Sequence, residues 1–226
     1  MQLTERLVQQ LQAHADSARA VKMQAYMKTQ QAFFGVPAPL RKQLFKQAIK
    51  EFPVRDADEY REAILALWHG SHREMQYQAL EVAEHGKNFR TSEQMPLYES
   101  LLDTAENWDT VDWIATSMVG LLIKSQLELR SWLIKWRVAD NLWLRRASLI
   151  AHLKHKQQTD VNLLAETILM LASEREFFIR KAIGWVLREY GKTNPIWVRD
   201  FVQAHQSELS GLSQREALKH INKSNN

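Results

Sequence analysis

The chain has 226 residues and no cysteine, which excludes a disulfide framework, a thiolate nucleophile and any Cys-ligated metal. Thirty Lys and Arg against 26 Asp and Glu leave a formal charge of +4, so only a clustered basic face would matter to a polyanion. With 45% apolar residues a packed core is expected, and no apolar run reaches the ~20 residues that would cross a membrane. The first residues lack a basic-then-apolar leader layout, so the expectation is a soluble, cytoplasmic protein.

Seven glycines and five prolines allow few tight turns and few helix breaks. Apolar residues recur at helical rather than strand spacing: Leu3, Leu7, Val8 and Leu11; Tyr60, Ile64 and Leu67; Leu163, Leu164, Thr167, Ile168 and Leu171. Phe34-Gly35-Val36-Pro37-Ala38-Pro39 reads as a break, with Pro37 or Pro39 opening the next helix. Asp56 and Ser92 stand where N-caps are wanted, and Gly86 and Gly191 read as helix stops. Asn194-Pro195 and Ser210-Gly211 mark later turns.

Between these marks the helices come in pairs. Glu59–Trp68 is followed by Glu74–His85, Met95–Thr104 by Trp108–Gly120, and Leu127–Trp136 by Leu142–His155. Leu163–Ala172 is followed by Phe177–Tyr190, and Ile196–His205 by Ser213–Ile221. Ala79, Ala115, Ala147, Ala182 and Ala217 recur in the second helices at intervals of 36, 32, 35 and 35. A pair of this size cannot bury its apolar face alone. The reading is therefore an all-α chain of stacked antiparallel helix pairs, a HEAT-like solenoid with a concave basic surface, with residues 1–226 as one domain. An irregular bundle is the alternative, and the similar linker lengths argue against it.

Four segments could carry chemistry. Trp108 and Asp112 are four residues apart and share a helix face, where an indole and a carboxylate would together hold positive charge. A core Trp with Asn107 or Asp109 as cap is the plainer reading. Arg145 and Arg146 point about 100° apart, so at most one faces a given groove, where its planar fork suits phosphate. Gly184 would let something approach α-helical backbone closely, with Trp185 as a platform; tight helix packing with a core Trp is the plainer reading. Tyr26 precedes Phe34-Gly35 and reads most simply as a core tyrosine. His69 with His72 and His152 with His155 have a metal-ligand spacing but no companion carboxylates, and are read as surface histidines.

Together these segments resemble the AlkD family of bacterial DNA alkylation repair glycosylases. The marks are Tyr26-Met27-Lys28 before Phe34-Gly35-Val36, Trp108 to Asp112, Trp143 to Ala147, Phe177 to Tyr190, Thr193-Asn194-Pro195 and Leu212 to Ile221. The resemblance implies a HEAT-like helical-repeat fold and a monomer acting on double-stranded DNA with alkylated bases, with no cofactor or metal. It implies Asp112 as the catalytic carboxylate, with Trp108 and Trp185 as aromatic partners. Arg146 would hold DNA near the lesion, with Arg145 the second choice, and Tyr26 would lie in the same cleft. Arg188 and Lys181 are further candidates for the DNA path, as are Arg180, Lys154 and Lys156. The implied reaction is hydrolysis of the N-glycosidic bond of 3-methyladenine or 7-methylguanine without extrusion of the base. A non-catalytic helical scaffold for nucleic acid or protein is the competing reading, and it has no need of the Trp108, Asp112 and Trp185 set.

Overall fold

A computed structural model describes residues 2–221. Among them the ordered elements are helical, apart from one isolated bridge between Ala32 and His72. No helix is long and apolar enough to cross a membrane. The chain divides into two compact units, Met1–Leu97 and Tyr98–Asn226.

The first unit contains α1 (Leu3–Ala13), α2 (Ser17–Met27), α3 (Ala38–Glu51), α4 (Ala57–Trp68) and α5 (Arg73–His85). Local chemistry sets their ends. Asp16 caps α2 by accepting from the Arg19 N–H at 2.9 Å, and Asp56 caps α4 by accepting from Asp58 and Glu59. Pro37 precedes α3 and Pro39 lies in its first turn, where a missing N–H costs nothing. Tyr60, Ile64 and Leu67 are fully buried, so the α4 stripe is core.

One carboxylate receives the N–H groups of the Phe34–Val36 break, while the Asp16 N–H and the Arg19 guanidinium donate to its Phe34 and Gly35 carbonyls. Glu74 is fully buried in the first turn of α5 and accepts the N–H groups of Phe34, Gly35 and Val36 at 2.9, 2.8 and 3.1 Å. Gly35 has φ +86, and a Cβ there would lie 2.0 Å from the Asp16 carbonyl oxygen. Only glycine fits that turn.

The second unit begins within α6 (Met95–Asp103) and continues through α7 (Trp108–Trp113), a wide π turn (Ile114–Val119) and α8 (Gly120–Ser125). Then come α9 (Arg130–Trp136), α10 (Leu142–Ile150), α11 (Val161–Leu171), α12 (Phe177–Gly191), α13 (Pro195–Ala204) and α14 (Gly211–Leu218). The second helices form a row: α7 packs on α10, α10 on α12, and α12 on α14. Ala115, Ala147, Ala182 and Ala217 lie in that row and are all buried. Small side chains there let successive pairs stack closely.

Three local expectations change. Ser92 does not cap; it opens a short 3-10 turn, Ser92–Gln94, preceded by Thr91. The helix read as Leu142–His155 tightens into a 3-10 segment at Ala151–Lys154. His152 and His155 are buried, each 3% exposed, not on the surface. Their rings meet edge to face at 5.3 Å, and the His155 Nε2–H donates to the Gly120 carbonyl at 2.7 Å.

Candidate active site

Asp112 lies on α7 one turn after Trp108 and is mostly buried, its side chain 14% exposed. Its carboxylate meets the Arg146 guanidinium through two parallel bonds, Nε–H to Oδ1 at 2.7 Å and Nη2–H to Oδ2 at 2.9 Å. This bidentate form is the strongest an Arg and a carboxylate make. Burial pushes the Asp112 pKa above the ordinary aspartate value, and the bonds and charge of Arg146 oppose that rise.

Arg146 is 4% exposed. Its Nη1 donates to the Phe178 carbonyl oxygen at 2.6 Å, and the Phe178 ring lies 5.8 Å from the guanidinium carbon. Trp143 packs on the same ring, centroids 5.1 Å apart. Two elements besides its own helix α10 therefore fix the guanidinium: α7 through Asp112, and the first turn of α12 through Phe178. Asn141 starts α10 by accepting from the Trp143 N–H at 2.7 Å, and its amide donates to Asp103 at the end of α6.

Trp108 is exposed, at 37%, so it is not the core tryptophan of the plainer reading. Trp185 is half-buried on α12. Gly184 serves packing: a Cβ there would sit 2.5 Å from the Glu216 Cβ and 3.0 Å from the Ser213 carbonyl oxygen. The element that approaches closely is α14.

A family model for DNA alkylation repair enzymes matches residues 7–221. The chain belongs to the DNA alkylation repair enzyme family. It is similar to a solved structure described as a predicted DNA alkylation repair enzyme from Enterococcus faecalis. The identity is 34% and the TM-score 0.85, covering 92% of this chain and 96% of that one. The structure of smu.31 from Streptococcus mutans UA159 is similar in fold, with 15% identity and TM-score 0.61 over 78% of this chain and 90% of that one. No curated protein matches the chain.

Of the other cations expected on the DNA path, Arg145, Lys181, Arg188, Arg180 and Lys154 are tied to carboxylates or other acceptors. Arg145 turns away from Arg146 and binds Glu174 at 2.6 and 3.2 Å while donating to the carbonyls of Ala139 and Asp140. Lys181 and Arg188, seven residues apart on α12, both pair with Glu216 of α14. These two cations hold the Glu216 pKa below the usual glutamate value. Arg180 donates to the Glu174 carbonyl and Lys154 to the Ser117 hydroxyl. Lys156 has a left-handed backbone, φ +52. Tyr26 lies near the end of α2 and is 77% exposed, not a core tyrosine.

Sequence reasoning missed Phe178 and Glu216 as contributors. The Phe177-Phe178 pair at a helix start is visible, but a backbone carbonyl acceptor leaves no residue signature. Glu216 sits 28 and 35 residues from the cations it binds, beyond any helical spacing rule.

Proposed function

We propose that this repair-family chain is a DNA glycosylase that hydrolyses the N-glycosidic bond of N3- or N7-alkylated purines in duplex DNA. The observation that carries the reading is the Asp112 carboxylate, largely shielded from water, directed by a buried arginine and standing one turn from an exposed indole.

Alkylation at N3 or N7 places positive charge on the purine, so the base leaves without much need of a general acid. The work left is to stabilise an oxocarbenium-like sugar and to deliver water. A carboxylate offers about four lone-pair sites, and Arg146 takes one on each oxygen. The others can hold a water molecule or face the cationic sugar. Partial burial strengthens that attraction relative to open solvent. Trp108 offers a ring face for polarised C–H groups of the deoxyribose, and Trp185 is assigned the same task. Both act on the sugar and not the base, which suits a lesion left stacked in the duplex.

The test is release of 7-methylguanine and 3-methyladenine from methylated duplex DNA, measured chromatographically for wild type and Asp112→Asn. Release by wild type and a loss of at least about 100-fold in the variant, with DNA binding retained, is the expected result. Equal release by the variant removes Asp112 from the chemistry. Binding without release of any base favours the scaffold reading.

A further inference from the structure

The helix that carries Asp112 does not continue regularly. After α7 the backbone widens into the π turn at Ile114–Val119 and then resumes as α8. Such turns are rare, are less favourable than α-helix and persist where neighbours supply partners.

Three side chains bond within this turn or at Gly120, the residue that follows it. The Thr116 hydroxyl donates to the backbone carbonyl of Asp112 itself at 2.7 Å. The Lys154 ammonium donates to the Ser117 hydroxyl at 2.8 Å. His155 donates to the Gly120 carbonyl at 2.7 Å; a carbonyl only accepts, so Nε2 carries the proton. Burial lowers the His155 pKa, with the charges of Lys124 and Arg130 acting in the same direction. The segment bearing Lys154 and His155 packs on the turn and on α8, and it comes closest at Gly120, the residue after the turn, where a Cβ would be 2.3 Å from the Ala151 carbonyl oxygen. The pair that supplies Arg146 thus also clamps the backbone behind Asp112.

We propose that Thr116 and His155 are positioning residues which hold the π turn open, and that the open turn aims the Asp112 carboxylate at Arg146. Neither touches the carboxylate. An extra residue in one turn rotates the preceding helix by about 100° relative to the succeeding one. If the turn relaxes to α-helix, Trp108 and Asp112 swing away from Arg146 while the buried side of α8 stays in place. The catalytic consequence rests on the glycosylase reading; the geometric claim does not.

Two readouts separate them. The first is the Arg146 Nε–H resonance in a proton–nitrogen spectrum, which reports its bond to Asp112 without any substrate. His155→Leu and Thr116→Val should shift it toward the value of an unpaired arginine, and His155→Gln and Thr116→Ser should restore it. The second is the kinetic split on methylated duplex: kcat falls on the order of 10- to 100-fold, while the Kd for DNA stays within about twofold. Thr116→Val, at a half-exposed position, keeps the test available if His155→Leu does not fold. An unmoved Arg146 signal in folded variants overturns the proposal, whatever the activity. Base release absent from wild type overturns the glycosylase reading and leaves the spectral arm to decide this one.

Discussion

Asp112 and Arg146 face each other through two bonds of 2.7 and 2.9 Å across 34 residues of sequence. Both are largely withdrawn from solvent, so neither charge is screened as a surface pair would be. Removing one partner leaves the other buried and uncompensated, at a cost of about 3 kcal/mol or more.

Arg146→Met tests this directly. Burial raises the Asp112 pKa and Arg146 restrains the rise, so losing the arginine raises it further. The acidic limb of the base-release profile should move to higher pH, measured as kcat/KM across the acidic range. The sign for stability is opposite in sense. A carboxyl whose folded value lies above its unfolded one opposes folding when ionised, so the variant's instability is relieved as pH falls through the raised value. An unmoved acidic limb would detach Asp112 from the titration.

His152 makes the fold acid-sensitive. Its pKa is pushed down to about 3, chiefly by burial and next by His155. The folded value lies below the unfolded one near 6.5, so its contribution is complete above about pH 6.5 and is lost as pH falls toward 3. The loss reaches about 5 kcal/mol at the limit. Chemical denaturation at several pH values should show this slope, and His152→Gln should flatten it. Some slope remains, because His155 is shifted in the same direction.

The paired cations should differ in their response to salt. Lys181 is 39% exposed although bound to Glu216, while Arg145 is 17% exposed and bound to Glu174 and two carbonyls. Lys181→Ala should therefore reduce the slope of log K against log salt for duplex DNA by about 0.9. Arg145→Ala should leave that slope alone and lower the unfolding free energy by about 1–3 kcal/mol, since it strands a half-buried carboxylate. Titrations at three salt concentrations and one denaturation series separate the two roles.

Gly184→Ala should destabilise the second unit. The new methyl meets the Glu216 Cβ at 2.5 Å, so α12 and α14 must separate or bend. Overpacking of this kind costs about 1–3 kcal/mol. The urea midpoint is the measurement, and a midpoint equal to wild type would show that α14 yields freely.

Much of this architecture is legible in the sequence. The alanine spacing survives because stacking demands a small side chain at the same point of each second helix, and Ala115, Ala147, Ala182 and Ala217 are all buried in one row. Trp108 and Asp112 can be placed together because their spacing is helical. The Asp112–Arg146 pair cannot, since it depends on how two consecutive pairs stack. His152 and His155 mislead for a related reason: beyond their mutual ring contact, the partner that holds His155 inside is the Gly120 carbonyl, 35 residues away in sequence. The π turn itself has no residue signature, because the same side chains accept ordinary helix; the Lys154 and His155 side chains that bond its end come from the next helix pair.

The Glu74 hub has an implication for how the chain is made. Phe34, Gly35 and Val36 emerge from the ribosome roughly forty residues ahead of the carboxylate that receives their N–H groups. Until α5 is synthesised, the break after α2 is held only through its carbonyls, by the Asp16 N–H and the Arg19 side chain, and its three donors stay in water. Helix α1 can pack on α3 before that point, but the break gains its last three bonds only when α5 follows.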